Sequence, residues 1–336
     1  MNVTNIWYDE HPLSIALVPF SWLFCASVWL RRQAYKYELL SSYHAPVPVI
    51  VVGNLSVGGT GKTPLVLWLS QFLKQHGYKP GIVSRGYGGH AQKWPQLVSA
   101  NSTPNKVGDE PVLLAQRSKC PIVVAPKRFE AVQTLLKNYA CNIIISDDGL
   151  QHYALHRDIE IVLIDATRQH GNQRCLPAGP LREPINRLKQ ADFLITSNSP
   201  NEFTIHNLQF AIRNYSMQYK LKPLRQVTDD NISQSLIELH GQTVHAVAGI
   251  GNPAKFFAHL QEHGLNLYWH EFPDHHRYQP SDIQFADNLA VIMTEKDAVK
   301  CREFANCQHW YLPIEASLPN TFGENLLYQL EEIQNG

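Results

Sequence analysis

The chain has 336 residues, 29 Lys+Arg against 29 Asp+Glu, 44% apolar residues and 17% charged ones. A formal charge of zero argues against nucleic acid as the main partner, and the apolar fraction excludes a disordered chain and is enough for two domains with cores of their own. The cysteines (Cys25, Cys120, Cys141, Cys175, Cys301 and Cys307) form no CxxC pair, so reduced thiols are expected in place of a zinc site or a disulfide scaffold.

Residues 12–30 (PLSIALVPFSWLFCASVWL) are uncharged and apolar, and Arg31, Arg32 and Lys36 follow. The run approaches the roughly 20 residues that cross a bilayer. Positive charge follows the apolar stretch, and Asp9 and Glu10 precede it, which is the wrong polarity for a cleaved signal peptide. Three readings remain open: a single span with the arginines cytoplasmic, a helix lying in the interface on Trp22, Phe24 and Trp29, or a buried core helix. Membrane attachment is the expectation, with residues 1–35 as a membrane-associated helix.

Val47 to Val52 reads as a buried strand, and 64–74 (PLVLWLSQFLK) has helical apolar spacing. Between them lies Ser56-Val57-Gly58-Gly59-Thr60-Gly61-Lys62-Thr63. Strand, glycine-rich loop and helix together predict a phosphate-binding loop for a nucleoside triphosphate, with Lys62 on the β- and γ-phosphates and the Thr63 hydroxyl on magnesium. Ser56 stands where the usual pattern has glycine. Val57 stands where some partner-dependent ATPases carry an extra lysine.

Further strands are predicted at Ile82-Val83, 121–125, 142–145, 159–164 and 193–196, with a helix over 127–139. Alternation of this kind predicts an α/β fold, a mostly parallel sheet covered by helices, with ligands at the carboxyl ends of the strands. Asp147 and Asp148 close one strand, where a magnesium-ordering carboxylate belongs; Gln151 and His152 follow as positioning candidates. Arg85, Arg128 and Arg182 lie in turns from which a guanidinium can clamp phosphate. Gly108-Asp109-Glu110-Pro111 reads first as a helix start, with carboxylates at the positive dipole end.

Beyond about residue 210 the texture changes. Residues 213–227 alternate as a strand pair would. Strands at 243–250 and 290–293 and a helix over 254–263 predict a second, smaller α/β domain. The expected division is 36–210 for a phosphate-loop core and 211–336 for the smaller domain. His275-His276 lie in a polar turn without companion metal ligands at fixed spacing.

Taken together, PVPVIVVGNLSVGGTGKTP, VSRGYGG, GDEPVLL, DDGLQHY, LPAGPLRE, AGIGNPAKFF, FPDHH and MTEKDAVKC resemble the tetraacyldisaccharide 4′-kinase family along nearly the whole chain. The resemblance implies transfer of the γ-phosphate of ATP, with Mg2+, to the 4′-hydroxyl of an acylated glucosamine disaccharide. It implies an enzyme on the cytoplasmic face of the inner membrane, needing no protein partner. It makes Asp109 the base and His275 its partner, with Glu110, Asp147 and Asp148 ordering magnesium, and Arg85, Arg128, Gln151 and His152 positioning. The two residues of the base pair fall in different expected domains, so closure of one domain on the other is expected to assemble them. The competing readings are a membrane-bound phosphate-loop ATPase or GTPase switch, and a lipid-binding scaffold with a vestigial nucleotide fold.

Overall fold

The computed structural model describes residues 3–8, 11–197 and 212–335. The chain forms two compact units, each built from separated segments: Met1–Arg85 with Cys120–Gln218 and Ala316–Gly336, and Gly86–Lys119 with Tyr219–Glu315. The expected boundary at 210 lies outside the described residues. Two stretches fall on the side opposite to the expected one. Residues 86–119 join the second unit, where Arg117 on the helix Asp109–Ser118 pairs with Glu295 and Glu315. The terminal helix Asn320–Asn335 joins the first, where Phe322 packs on Trp68, Phe193 and Tyr215.

In the first unit the strands run in the order Arg213–Leu221, Phe193–Ser197, Ile159–Asp165, Val49–Gly53, Ile143–Asp147, Pro80–Ser84, Ile122–Val124, with parallel neighbours. Phe193–Ser197, Ile159–Asp165, Val49–Gly53, Ile143–Asp147, Pro80–Ser84 and Ile122–Val124 are buried at every position, which is why they read as continuous apolar runs without alternation. The chain leaves Val49–Gly53 toward one edge and returns later on its other side. That reversal opens a crevice at the carboxyl end of this strand. The expected strand pair over 213–227 is not a pair: Arg213–Leu221 joins this sheet, while Leu224–Gln226 pairs antiparallel with His309–Leu312. Alternation reported strands correctly and said nothing about their partners.

The amino-terminal run is two helices, Pro12–Ala16 and Val18–Lys36, separated at Leu17 just before Pro19. Its polarity is inverted. The buried residues are serines: Ser21 Oγ donates to the Cys175 carbonyl at 2.8 Å, and Ser14 Oγ accepts from Asn172 and Arg174. Ile15, Phe20, Trp22, Leu23, Trp29 and Leu30 face out, Trp22 being 70% exposed. Phe24 and Cys25 reach from the second helix toward the core of this unit. Among the described residues no helix is long and apolar enough to cross a membrane.

The second unit holds a sheet in the order Ser233–Gln234, Leu224–Gln226, His309–Leu312, Val291–Thr294, Thr243–Ala248, Asn266–Glu271. The last four strands are parallel and the first two add antiparallel. The helix Pro253–Glu262 buries Phe256, Phe257 and Leu260 beneath it. The short helix Glu295–Cys301 follows Val291–Thr294 directly, started by the Thr294 hydroxyl accepting from the Asp297 amide.

Candidate active site

In the first unit the loop 56–61 runs from the central strand into the helix Lys62–Gln75. Gly61 precedes that helix at φ +88, a left-handed conformation that glycine adopts without strain. A side chain at Gly59 would meet nothing within 4 Å, so the space beside the loop there is open. The loop is held from behind. Val57 N–H donates to the Pro180 carbonyl, and Ser56 bridges Leu181. Ser56 is buried in that bridge. The loop's floor is thus made by the 176–183 segment, and a serine serves where glycine is usual.

Asp147 ends the strand beside the loop strand, in register with Val52, and accepts from Ser84 Oγ at 3.2 Å. Asp148 stands at φ +47, a conformation costing an L-residue about 1–2 kcal/mol. The turn pushes its carboxylate toward cations: Arg182 Nη1 at 3.0 and 3.1 Å, and Lys62 Nζ at 3.4 Å. Burial raises the Asp148 carboxyl, but Lys62 and Arg182 outweigh it and hold the group far below the usual carboxylate range. Lys62 also donates to Asn54 Oδ1 at 3.1 Å. Lys62, Asp148, Arg182 and Asn54 therefore form one charged knot at the helix start.

Arg128 is almost wholly buried, and its guanidinium donates to the carbonyls of Ala125, Asp147 and Asp148. It fixes the acidic turn from below and does not present itself to solvent as a phosphate clamp. Burial lowers it to about 10 against the pull of Asp147 and Asp148, so it stays charged. Gln151 links Asn54 and Arg182. Burial, then the charges of Arg128, Arg85 and Arg31, bring His152 down to about 3, so at neutral pH it acts as a neutral ring. Arg85 is exposed.

The second unit holds the other cluster. Gly108, at φ +94 and ψ 153, turns the chain into the helix Asp109–Ser118; a Cβ there would lie 2.6 Å from the Tyr87 carbonyl oxygen. Asp109 is 5% exposed and accepts the Glu110 amide. His275 Nδ1 lies 3.1 Å from both Asp109 oxygens. Burial raises the Asp109 carboxyl, but the His275 hydrogen bond and the charges of Lys296, His275 and Lys300 outweigh it and bring it down to about 2. His275 itself stands at φ +60, and Tyr87 packs on it edge-on. Burial lowers its pKa, yet the hydrogen bond to Asp109 leaves it raised. Glu110 Oε1 accepts from Lys296 Nζ at 3.0 Å. His276 turns to Asp282 and takes no part.

This arrangement corrects the expectation about Asp109 and His275. Residues 86–119 and 219–315 make one unit, so the pair is already formed inside it and needs no closure for its assembly. Sequence reasoning passed over Asn54, Lys296 and Lys300, and gave Arg182 no specific partner. Asn54 is a fully buried polar residue between strand and loop, which was the available signal. Lys296 and Lys300 stand four apart, on one face of a helix.

Among the described residues no group of three His, Cys, Asp or Glu side chains is poised to hold a metal by itself. The oxygen donors near the loop, Thr63, Asp147 and Asp148, are hard ligands of the kind magnesium takes together with phosphate oxygens and water.

A parallel sheet, a glycine-rich loop entering a helix and strand-end aspartates define a phosphate-loop phosphotransferase. The profile of the family described as Tetraacyldisaccharide-1-P 4′-kinase (LpxK) matches residues 13–331. The tetraacyldisaccharide 4′-kinase of Nitrosococcus oceani is 48% identical over 98% of this chain and 94% of its own, and that of Methylobacillus flagellatus is 49% identical over 97% and 95%. The crystal structure of LpxK from Aquifex aeolicus in complex with ATP superposes with a TM-score of 0.80 at 30% identity, covering 95% of this chain and 99% of that one. The chain belongs to the tetraacyldisaccharide-1-phosphate 4′-kinase family and is a lipid kinase that uses ATP.

Proposed function

We infer that the chain moves the γ-phosphoryl group of ATP to the 4′-hydroxyl of a tetraacylated glucosamine disaccharide 1-phosphate, with Asp109 receiving the hydroxyl proton. The observation that carries this is the Asp109 carboxylate, 5% exposed, with His275 Nδ1 at 3.1 Å from both of its oxygens. A buried carboxylate kept ionised and oriented is what an alcohol acceptor needs beside it. The hydroxyl O–H bond breaks and its proton goes to Asp109. The oxygen forms its bond to phosphorus as the bond to ADP breaks, and ADP leaves with that electron pair.

The loop amides from Gly58 through Thr60 to Gly61, with Lys62, would cradle the triphosphate, while Ser56 and Val57 tie the loop to residues 180–181. Lys62 would exchange Asp148 for phosphate oxygens, and Arg182 and Gln151 would keep Asp148 in place. Thr63, Asp147 and Asp148 would hold Mg2+, which would neutralise charge on the phosphates. Neutral His152 and exposed Arg85 serve positioning. Transfer requires the nucleotide and Asp109 to converge on one sugar hydroxyl.

The inverted amino-terminal helices support attachment to the cytoplasmic leaflet of the inner membrane, where ATP is available. Their serines bind inward and their tryptophans and leucines face out. Such a surface fits the headgroup and acyl boundary, with Arg31 and Arg32 at its end. The lipid acceptor lives there, and the reading calls for no protein partner.

The test is transfer of labelled γ-phosphate to the acylated disaccharide in detergent micelles, with Lys62→Ala and Asp109→Ala alongside. Labelled lipid from native protein, with losses of several orders of magnitude in both variants, is expected. Free phosphate without labelled lipid would turn the reading to an ATPase switch.

A further inference from the structure

We propose that Arg168 is a catalytic residue whose guanidinium binds the γ-phosphoryl group of ATP as it is transferred. The inference deepens the kinase reading above and rests on it. Arg168 lies just beyond the strand Ile159–Asp165, which pairs with the loop strand Val49–Gly53. The strand Ile143–Asp147 pairs with the other side of Val49–Gly53 and leads into the Asp147–Asp148 turn. At the carboxyl ends of the sheet the phosphate loop is therefore flanked by an acidic turn on one side and by the Arg168 turn on the other. A Cβ built on Gly58 would lie 3.6 Å from Arg168 Nη1, so the guanidinium stands in van der Waals reach of the loop. All of these residues belong to the first unit.

The turn that carries the arginine is fixed. Asp165 is buried at the strand end, and its Oδ1 accepts the amides of Thr167 at 2.9 Å and Arg168 at 3.0 Å. Gln169 N–H donates to the Asp165 carbonyl at 2.7 Å, and Gly171 N–H donates to the Arg168 carbonyl at 3.1 Å. The guanidinium carbon stands 5.6 Å from the centroid of the Tyr8 ring, a cation–π placement that steadies the half-buried side chain. The other arginines by the loop have different work. Arg182 Nη1 donates to both Asp148 oxygens, and Arg128 donates to the carbonyls of Ala125, Asp147 and Asp148.

The loop amides take the inner phosphates. A cation beside the loop at Gly58 meets the group that projects beyond them. Charge on a transferring phosphoryl group spreads over its equatorial oxygens. Lys62 reaches that group from the helix, and the planar fork of Arg168 would donate to it from the opposite flank. Arg168 forms no covalent bond and moves no proton; the bonds made and broken are those of transfer to the sugar hydroxyl. ADP lacks the transferred group, so its binding does not call on Arg168.

Full-length native protein, Arg168→Met and Arg168→Lys are compared in detergent micelles with ATP and the acylated disaccharide. The expected kcat is lower by about 10²- to 10³-fold in Arg168→Met and by on the order of tenfold in Arg168→Lys, which keeps the charge and loses the fork. Kd for ADP and KM for the disaccharide should stay within about twofold of native. Aluminium fluoride with Mg2+ builds a phosphoryl mimic on bound ADP, and should tighten ADP on the order of tenfold in native protein and not in Arg168→Lys. A kcat within about threefold of native in either folded variant overturns the proposal. An equal response to aluminium fluoride in native protein and Arg168→Lys also overturns it, even if the methionine variant fails to fold. A loss confined to KM for the disaccharide would give Arg168 to the lipid phosphate, and ADP binding that falls in step with kcat would make it a brace of the loop; both sink the claim. Native protein that labels no lipid overturns the kinase reading and this proposal with it, a result distinct from a loss seen in the variants alone.

Discussion

Replacing Asp109 by Asn removes one charge and nearly keeps the shape, and an amide oxygen can still accept the His275 Nδ1–H. The native carboxyl titrates at about 2 against an ordinary 3.8, net of its burial. That difference corresponds to about 2 kcal/mol of stability at neutral pH. The folded group titrates below the unfolded one, so this contribution is complete above pH 3.8 and is lost as the pH falls toward 2. Urea unfolding of native and variant protein at pH 7, 5 and 3, followed by tryptophan fluorescence, measures it. The gap should be about 2 kcal/mol at pH 7 and 5 and narrow to roughly half at pH 3. The same variant should lose about 10²- to 10⁴-fold in kcat if the carboxylate takes the hydroxyl proton. A gap independent of pH, or none, would refute the claim that His275 and the two lysines hold the ionised form.

Gly108→Ala places a Cβ 2.6 Å from the Tyr87 carbonyl oxygen at φ +94, so the turn must shift. A loss of about 2 kcal/mol or more in the same unfolding assay, with kinase activity falling further than stability explains, is expected. Trp22→Glu with Leu23→Glu alters residues 70% and 69% exposed. Binding to anionic vesicles in a sedimentation assay should drop sharply, while the thermal midpoint stays near native because no core contact is lost.

What the sequence disclosed follows from how local each signal is. The phosphate loop was legible because strand, glycines and helix are contiguous, and the buried strands because both faces are apolar. The Asp147–Asp148 turn was placed correctly, but its cation partners come from Lys62 and from Arg182, a residue 34 positions on from Asp148. The role of Arg128 as a buried clamp on carbonyls was invisible, since an arginine opening a helix looks the same exposed or buried. Residues 86–119 were expected in the phosphate-loop core and lie in the second unit, because chain order was taken as spatial order. Asp109 and His275 meet across 166 residues, a contact no local pattern encodes. The amino-terminal helix was recognised by its lack of charge, but only the structure separates the serine face from the aromatic one.

The interleaving of segments has a consequence for synthesis. Residue 109 leaves the ribosome 166 residues ahead of its partner, about 8 to 33 seconds earlier at ordinary elongation rates. Each unit draws on late segments of the chain, one on residues up to Glu315 and the other on Ala316–Gly336. The loop, its strand and its helix are complete long before the carboxylate acquires its imidazole. A nascent chain can therefore present a phosphate cradle before it has an acid–base pair, which is complete only once His275 has emerged.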